Sequence, residues 1–385
     1  MDLVDKAKNP ESLRIVVAWQ HDDNETLEPI KHLIEYIDIP YVESKGVCWA
    51  RNLIQQQYNG EEYTLQLDSH HRFVQDWDEE LINMYNQCKE MGSEKPLITG
   101  YLPHYDPDKE EFLQEVWKMN LEKFMDEGPM FFIPEPLTET YNNPIPSRFY
   151  SAHFCFTLGQ FSTEVQHDPE FYFHGEEISI TVRAYTHGYD LFHPHKIVCW
   201  HEYTRKGRTK QWDDDKAWVD KNTSSHKRNR KLFSMDGEVF NPEEFGIFGF
   251  GTERTLKDYE KYAGISFGKR AIQQYTINKQ DPPNPYNYET EEEWENSFSR
   301  VFKHCIDVGF SQVPEPDYDF WVVAFHNEKD ETIFRKDADI NEINRMKMDP
   351  DGYCKVWREF NATDKPTYWV VWPHSVSKGW CDRLT

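Results

Sequence analysis

Strand-like and helix-like segments alternate over the first hundred residues, and this limits the possible fold more than any other feature of the chain. Residues 13–19, LRIVVAW, are an unbroken apolar run of strand length, the pattern of a strand buried on both faces. Residues 26–37, TLEPIKHLIEYI, set Leu27, Ile30, Leu33, Ile34 and Ile37 at helical spacing, which predicts a helix. A short strand is predicted at 40–46, PYVESKG, closed by Gly46, and a second helix at 47–58, VCWARNLIQQQY. A third strand at 63–68, YTLQLD, precedes a helix at 76–91 whose first turn is acidic, as the positive end of a helix dipole favours. Residues 95–102, KPLITGYL, supply the next strand. Such a series predicts the α/β class with a mostly parallel central sheet, and in such sheets ligands sit beyond the carboxyl ends of the strands.

The rest of the chain is less regular. Residues 148–158, RFYSAHFCFTL, read as a strand entered from a proline-rich loop. Residues 176–188 read as a helix stopped by Gly188, 190–203 as one strand, and 255–265 as a helix with a glycine stop. The stretch 277–300 mixes Pro and Asn with an acidic run, a boundary signal. Beyond it DFWVVAF, YCKVWREF and TYWVVWP are aromatic and β-branched strand signals. The expected organisation is an α/β domain over 1–275, a linker over 276–315 and a small β-rich unit over 316–385.

Charge narrows the partners. The formal net charge of −25 repels the backbone of duplex nucleic acid and an anionic membrane surface, though a local basic pocket can still hold a small anion. No apolar run approaches the length of a bilayer span, and the first residues lack a basic segment followed by an apolar one. Seven cysteines are scattered without a CxxC pair, so neither a disulfide framework nor a cysteine zinc site is indicated. A reducing, cytoplasmic setting is expected.

The chemistry centres on Asp68-Ser69-His70, just past the third strand. A carboxylate and an imidazole at i and i+2 can converge on a divalent cation where the chain bends, and that mixed donor set suits Mn²⁺ better than Ca²⁺. The third ligand is sought among His174, His193, His195 and His201. His201 is preferred because it follows the strand-like KIVCW and so lies at another strand end. The plainer alternative is that Asp68 caps the next helix and His70 packs or is solvated. In HGEEIS, Glu176 and Glu177 either enrich a helix N-terminus or hydrogen-bond the hydroxyls of a sugar or an acceptor. Arg51 is either a surface arginine or a contact to a phosphate. The basic run SSHKRNRK is either a solvated face or a loop that closes on a diphosphate.

Four stretches, KNPESLRIVVAWQ, GVCWARNLIQQQYNGEEYTLQLDSHHRFVQDWDEELINMY, FYFHGEEISITVRAYTHGYDLFHPHKIVCWHEYTR and FGFGTERTLKDYEKYAGISF, resemble the GlcNAc-transferase family of the cytoplasmic Skp1 glycosyltransferase. That family is distantly similar to the mucin-type polypeptide GalNAc-transferases. The resemblance covers about residues 7–268. It implies a GT-A fold, a UDP-sugar donor, usually UDP-GlcNAc, and Mn²⁺ (or Mg²⁺) held by Asp68, His70 and His201. Gln20, Arg51, Asp68 and Arg228 are the candidate donor-binding residues. Glu176 and Glu177 are the candidate catalytic residues near the transferred sugar, and the basic run near 226–231 is the loop over the diphosphate. The resemblance implies retention; an inverting enzyme would use Glu176 or Glu177 as base. The acceptor would be a hydroxyl of a protein, a glycan or another molecule, a modified base included. Two other readings compete: a metal-dependent hydrolase or oxygenase, and a non-catalytic metal- or sugar-binding protein on the same fold. The iron facial triad expects His-x-Asp/Glu, the reverse of the order found here.

Overall fold

The computed structural model describes residues 2–204 and 209–385, and the chain divides into two compact units. Unit 1 comprises Met1–Gly268 and Tyr275–Asn287; unit 2 comprises Lys269–Gln274 and Tyr288–Thr385.

Unit 1 opens with β1 (Val16–His21) paired in parallel with β2 (Glu35–Pro40). The helix expected over 26–37 is therefore a correction: a single 3-10 turn at Lys31–Leu33 is followed by strand. The apolar spacing there fits a helix, but Ile37 and Ile39 also alternate with exposed residues, and pairing along the whole length of β1 decides for the strand. The strand expected at 40–46 is likewise a 3-10 turn, Tyr41–Glu43. Gly46 then takes φ of 119° and opens α1 (Val47–Gln55); a side chain there would meet the Tyr172 ring at 3.0 Å.

The strands and helices that follow are β3 (Tyr63–Leu67), β4 (His71–Phe73), α2 (Trp77–Glu90), β5 (Lys95–Thr99), the hairpin β6 (Trp117–Phe124) and β7 (Met130–Pro136), β8 (Ile145–Pro146) and β9 (Phe154–Leu158). After them come α3 (Glu176–Thr186), β10 (Tyr189–His193), β11 (Cys199–His201), α4 (Trp218–Leu232) and α5 (Leu256–Ala263). The main sheet runs β8-β10-β5-β9-β3. Its strand directions are mixed: β5 and β10 are parallel, and the other three pairs are antiparallel. Side chains alternate across it. Ile98, Phe154 and Phe156 pack with Trp77, Leu81, Met84 and Tyr85 of α2, while Leu97, Cys155 and Leu191 pack with Ile180 and Ala184 of α3. A helix layer on each face gives the α/β class.

Two further differences bear on the site. The single strand expected over 190–203 is broken at Pro194 into β10 and β11, and β11 leaves the main sheet to pair with β4. The basic run 224–231 is no loop: it lies inside α4, and Ser225, His226, Arg228 and Asn229 of it are buried. Among the described residues no helix is long and apolar enough to cross a membrane.

Unit 2 is antiparallel β structure. It contains β12 (Ala271–Gln273), α6 (Glu291–Asn296), β13 (Phe298–Gly309), β14 (Tyr318–His326), β15 (Thr332–Arg335), α7 (Ile340–Met346), β16 (Tyr353–Ala362), β17 (Tyr368–Ser375) and β18 (Gly379–Trp380). β13 pairs with β16 from Arg300↔Ala362 to Gly309↔Tyr353, and β14 pairs with both β15 and β17. Trp321, Val323, Phe325, Val356, Phe360 and Val371 form its core. The linker expected over 276–315 is corrected accordingly. Its acidic run is the first turn of α6, capped by Thr290, and Trp294 of that helix is buried against Ala271 and Phe298. Phe298 then begins the longest strand of the unit.

The sheet of unit 1 depends on rings that are fully enclosed. Replacing Phe154, which is 0% exposed, with Ala is expected to cost about 3–5 kcal/mol. Urea unfolding followed by circular dichroism measures the loss.

Candidate functional site

Asp68 lies at the end of β3, where its N–H donates to the His153 carbonyl. The chain then turns, and the His71 Nδ1–H donates back to the Asp68 carbonyl at 2.9 Å, closing the bend. β4 starts at His71, and its ladder with β11 sets His201 opposite His71. A flanking bond from the Glu202 N–H to the His70 carbonyl at 3.1 Å extends this pairing, and on its other side β11 is tied to Pro103 by the His201 N–H at 3.0 Å. A two-strand ribbon therefore brings together residues more than 130 positions apart in the chain.

The result is a compact donor set. His201 Nε2 lies 3.7 Å and His70 Nε2 3.9 Å from Asp68 Oδ2, and the two imidazole centroids are 4.4 Å apart. One ligand atom from each of Asp68, His70 and His201 lies within 4.8 Å of the others. His201 is 6% exposed, yet neither of its ring nitrogens has a hydrogen-bond partner among the described residues. A buried imidazole left this way costs free energy that a coordinated cation would recover. The residues present therefore fit a divalent metal.

Electrostatics agree with the geometry. Burial by itself would push the Asp68 carboxyl up; the His201 contact, the Arg51 guanidinium and His153 outweigh it and hold it well below the ordinary carboxylate range. His71 is pushed down to about 3 by burial and by its neighbour His201. His153, stacked on His201 at 4.4 Å, is held well below its ordinary value by the same two causes. His71 and His153, both neutral, thus stand beside an ionised carboxylate. That arrangement leaves lone pairs for a cation.

Behind this cluster stands Arg51 of α1. Its Nη2 donates to Asp68 Oδ1 at 2.8 Å and its Nη1 to Glu176 Oε1 at 2.9 Å. Glu176 opens α3 after Gly175, and its other oxygen accepts the Cys48 thiol. His167 lies 4.0 Å from that same oxygen. Cys48, His167 and Glu176 are close enough to hold a metal of their own. A guanidinium already on the carboxylate, and a thiol pushed well up by burial and by Glu176, make that triplet unsuited to one. Glu177 points the other way. It accepts the Ala152 N–H at 3.0 Å and the Tyr101 hydroxyl at 3.2 Å, and burial pushes its carboxyl up to about 7.

Comparison with known proteins supplies the family. Residues 22–269 match the family model described as "Glycosyltransferase (GlcNAc)", well over half of the 385 residues. The chain belongs to this glycosyltransferase family. No curated protein matches it. Among solved structures, one of GalNAc-T7 with UDP, GalNAc and Mn²⁺ is similar at a TM-score of 0.43 and 14% identity. The similarity covers 67% of the present chain and 50% of that one, so the chain spans half the length of that protein.

The remaining candidate residues fall elsewhere. Gln20, next to last in β1, accepts a hydrogen bond from Ser44. Arg228 of α4 is paired with Asp168 at 2.6 Å and lies over the Phe245 ring at 4.4 Å, which ties α4 to the loop before α3. Among the alternative third ligands, His193 spends both ring nitrogens on the Thr99 carbonyl and the Met119 N–H, and His174 stacks on His226. His195 follows the break between β10 and β11, with Lys196 and Glu80 as its charged neighbours. His71, His153 and Tyr101 belong to the site and were not singled out in the sequence. The doubled histidine of DSHH and the His in the strand-entering SAHF were the available signals.

The Arg51 side chain is enclosed between two carboxylates. Arg51→Leu strands the buried Glu176 without its ion-pair partner and is expected to lower stability by about 3–5 kcal/mol, read from urea denaturation.

Proposed function

We propose that the protein is a GT-A glycosyltransferase that moves a sugar, GlcNAc from UDP-GlcNAc, to a hydroxyl acceptor with retention. Asp68, His70 and His201 would hold the Mn²⁺. The observation that carries the reading is the convergence of those three side chains inside the segment that matches the family. The likeness to the Skp1 branch of the family rests on the DSH, GEE and terminal His segments. A cytoplasmic location is proposed with it, and seven cysteines in the thiol form fit a reducing compartment.

When bound, a divalent cation supplies Lewis-acid stabilisation of the departing diphosphate. The chain's own residues do the rest. Asp68 stays ionised at every working pH because His201 and Arg51 hold its carboxyl down. Arg51 fixes Asp68 Oδ1 and so leaves Oδ2 on the side of the two histidines. Glu176, locked by Arg51 and Cys48, holds that guanidinium in place and has no part in proton transfer. Glu177, whose oxygens accept the Ala152 N–H and the Tyr101 hydroxyl, is the carboxylate of the pair that would meet a substrate hydroxyl. In a retaining reaction it orients the sugar or the acceptor. Its elevated pKa favours a second reading, inversion with Glu177 as general base.

Incubation of the full chain with UDP-GlcNAc and Mn²⁺ is expected to release UDP, and a chelator is expected to stop it. Asp68→Ala should lose the activity, and His201→Ala should lower it about 100-fold or more. Wild-type turnover in Asp68→Ala would remove the metal assignment. The anomeric configuration of the product, read by NMR, separates retention from inversion.

On the inverting reading, the acid–base role of Glu177 has a pH signature. Its carboxyl is protonated below about 7 and ionised above, so kcat should rise with pH through that value. Glu177→Gln should flatten the profile. An unchanged profile in that variant assigns the titration to another group.

A further inference from the structure

The ribbon of β4 and β11 is small for what rests on it. Each strand has 3 residues, and the pair stands apart from the main sheet. A two-stranded ribbon is marginally stable in water by itself, and a slip of one residue would turn His201 to the opposite face. The bonds from Glu202 to His70 and from Val74 to Val198 set which pairs are hydrogen-bonded, so Phe73 turns its N–H and C=O away from β11. On that open edge lies the N-terminal segment, with a short helix at Asp2–Asp5. The Asp2 carboxylate accepts the Phe73 N–H at 2.7 Å, and the Lys6 ammonium donates to the Phe73 carbonyl at 2.7 Å. Asp2 and Lys6 are themselves paired at 3.0 Å. The ion pair thus takes both backbone groups that a third strand would take.

The rest of the segment is anchored to the start of α2. The Leu3 carbonyl accepts the Trp77 indole N–H, the Lys6 carbonyl accepts the Asp76 N–H, and the Asp78 carboxylate accepts the N–H groups of Lys8 and Asn9. Ala7 is buried in one cluster with Phe73, Trp77 and Leu81. Those contacts alone would serve the helix; the ion pair on Phe73 serves β4. Phe73 lies two positions past His71 and opposite Cys199, which lies two before His201. Bonds with a charged partner are shorter and stronger than those between neutral groups. We propose that Asp2 and Lys6 are positioning residues for the metal donors: clasping Phe73 from the open edge of β4, they fix the register of the ribbon that carries His201 to Asp68. The inference rests on the metal assignment of the proposed function, and both residues lie ahead of the segment that matches the family.

Hydrogen exchange on the metal-free full chain, read by mass spectrometry, reports on the ribbon without any turnover. Lys6→Met keeps the apolar stem and removes the ammonium. Amides over 70–74 and 198–202 are expected to exchange about tenfold faster in that variant, while those over 95–99 and 154–158 in the main sheet keep their rates. Mn²⁺ affinity, read by electron paramagnetic resonance, should fall about tenfold in Lys6→Met and in Asp2→Ala. Lys6→Arg, which can still donate to the Phe73 carbonyl, should restore most of both. Three results overturn the proposal. The first is ribbon exchange in Lys6→Met equal to wild type. The second is a rise of the same size in the main sheet, which would make the segment a brace for the whole unit. The third is a loosened ribbon that binds Mn²⁺ as the wild type does. A wild type that binds no Mn²⁺, with the ribbon loosened in Lys6→Met as expected, counts against the metal assignment and upholds the clasp.

Discussion

One buried guanidinium organises the site. Arg51 reaches Asp68 with one nitrogen and Glu176 with the other, at 2.8 and 2.9 Å, and so joins the end of β3 to the start of α3 through α1. Paired ions of this kind offset their own desolvation only when the geometry is good and the remaining lone pairs are satisfied. Glu176 meets that condition, its far oxygen taken by the Cys48 thiol; the second oxygen of Asp68 faces two imidazoles at 3.7 and 3.9 Å and is left for a cation. Remove the arginine and two carboxylates are left in a partly desolvated space. The sequence around α1 makes sense in that light. Its buried face carries Arg51, Asn52 and Gln55 beside Cys48 and Ala50, a polar face turned inward.

The fold does a second job through a small ribbon. β4 and β11 stand apart from the main sheet, and their pairing delivers His201 to the Asp68 turn. Three donors on a bend and a two-strand ladder are held by backbone hydrogen bonds. Side chains positioned by such a scaffold need less reorganisation when charge develops near them. The two carboxylates at the head of α3 are separated by the same logic. Adjacent in sequence, they face opposite sides of the helix start, one toward Arg51 and one toward Tyr101.

Much of this was legible in the chain, for identifiable reasons. Residues 63–67, 77–90 and 95–99 carry long, consistent periodicity, and they fold as that periodicity says. Residues 26–37 do not, because Leu27, Ile30, Leu33, Ile34 and Ile37 satisfy a helix while Ile37 and Ile39 satisfy a strand; the partner strand arbitrates, and a local window contains no partner. Asp68, His70 and His201 could be picked out because each sits at a strand end. The partnership of Arg51 with Glu176 could not, since 125 positions separate them and no local pattern encodes that contact. The break at Pro194 that frees β11 was overlooked within a run of strand-forming residues, although proline rarely continues a central strand.

The charge a metal would meet here has a thermodynamic consequence. With Arg51 balanced by Glu176, a cation bound through the lone pairs of His70 and His201 and one oxygen of Asp68 would meet a single formal negative charge. A doubly charged ion seated there keeps a surplus of positive charge, and a diphosphate is the anion that would cancel it. Ion and nucleotide each then raise the affinity of the other by the same factor, as linkage requires. A site of this charge would hold its ion more firmly with the diphosphate present than without it.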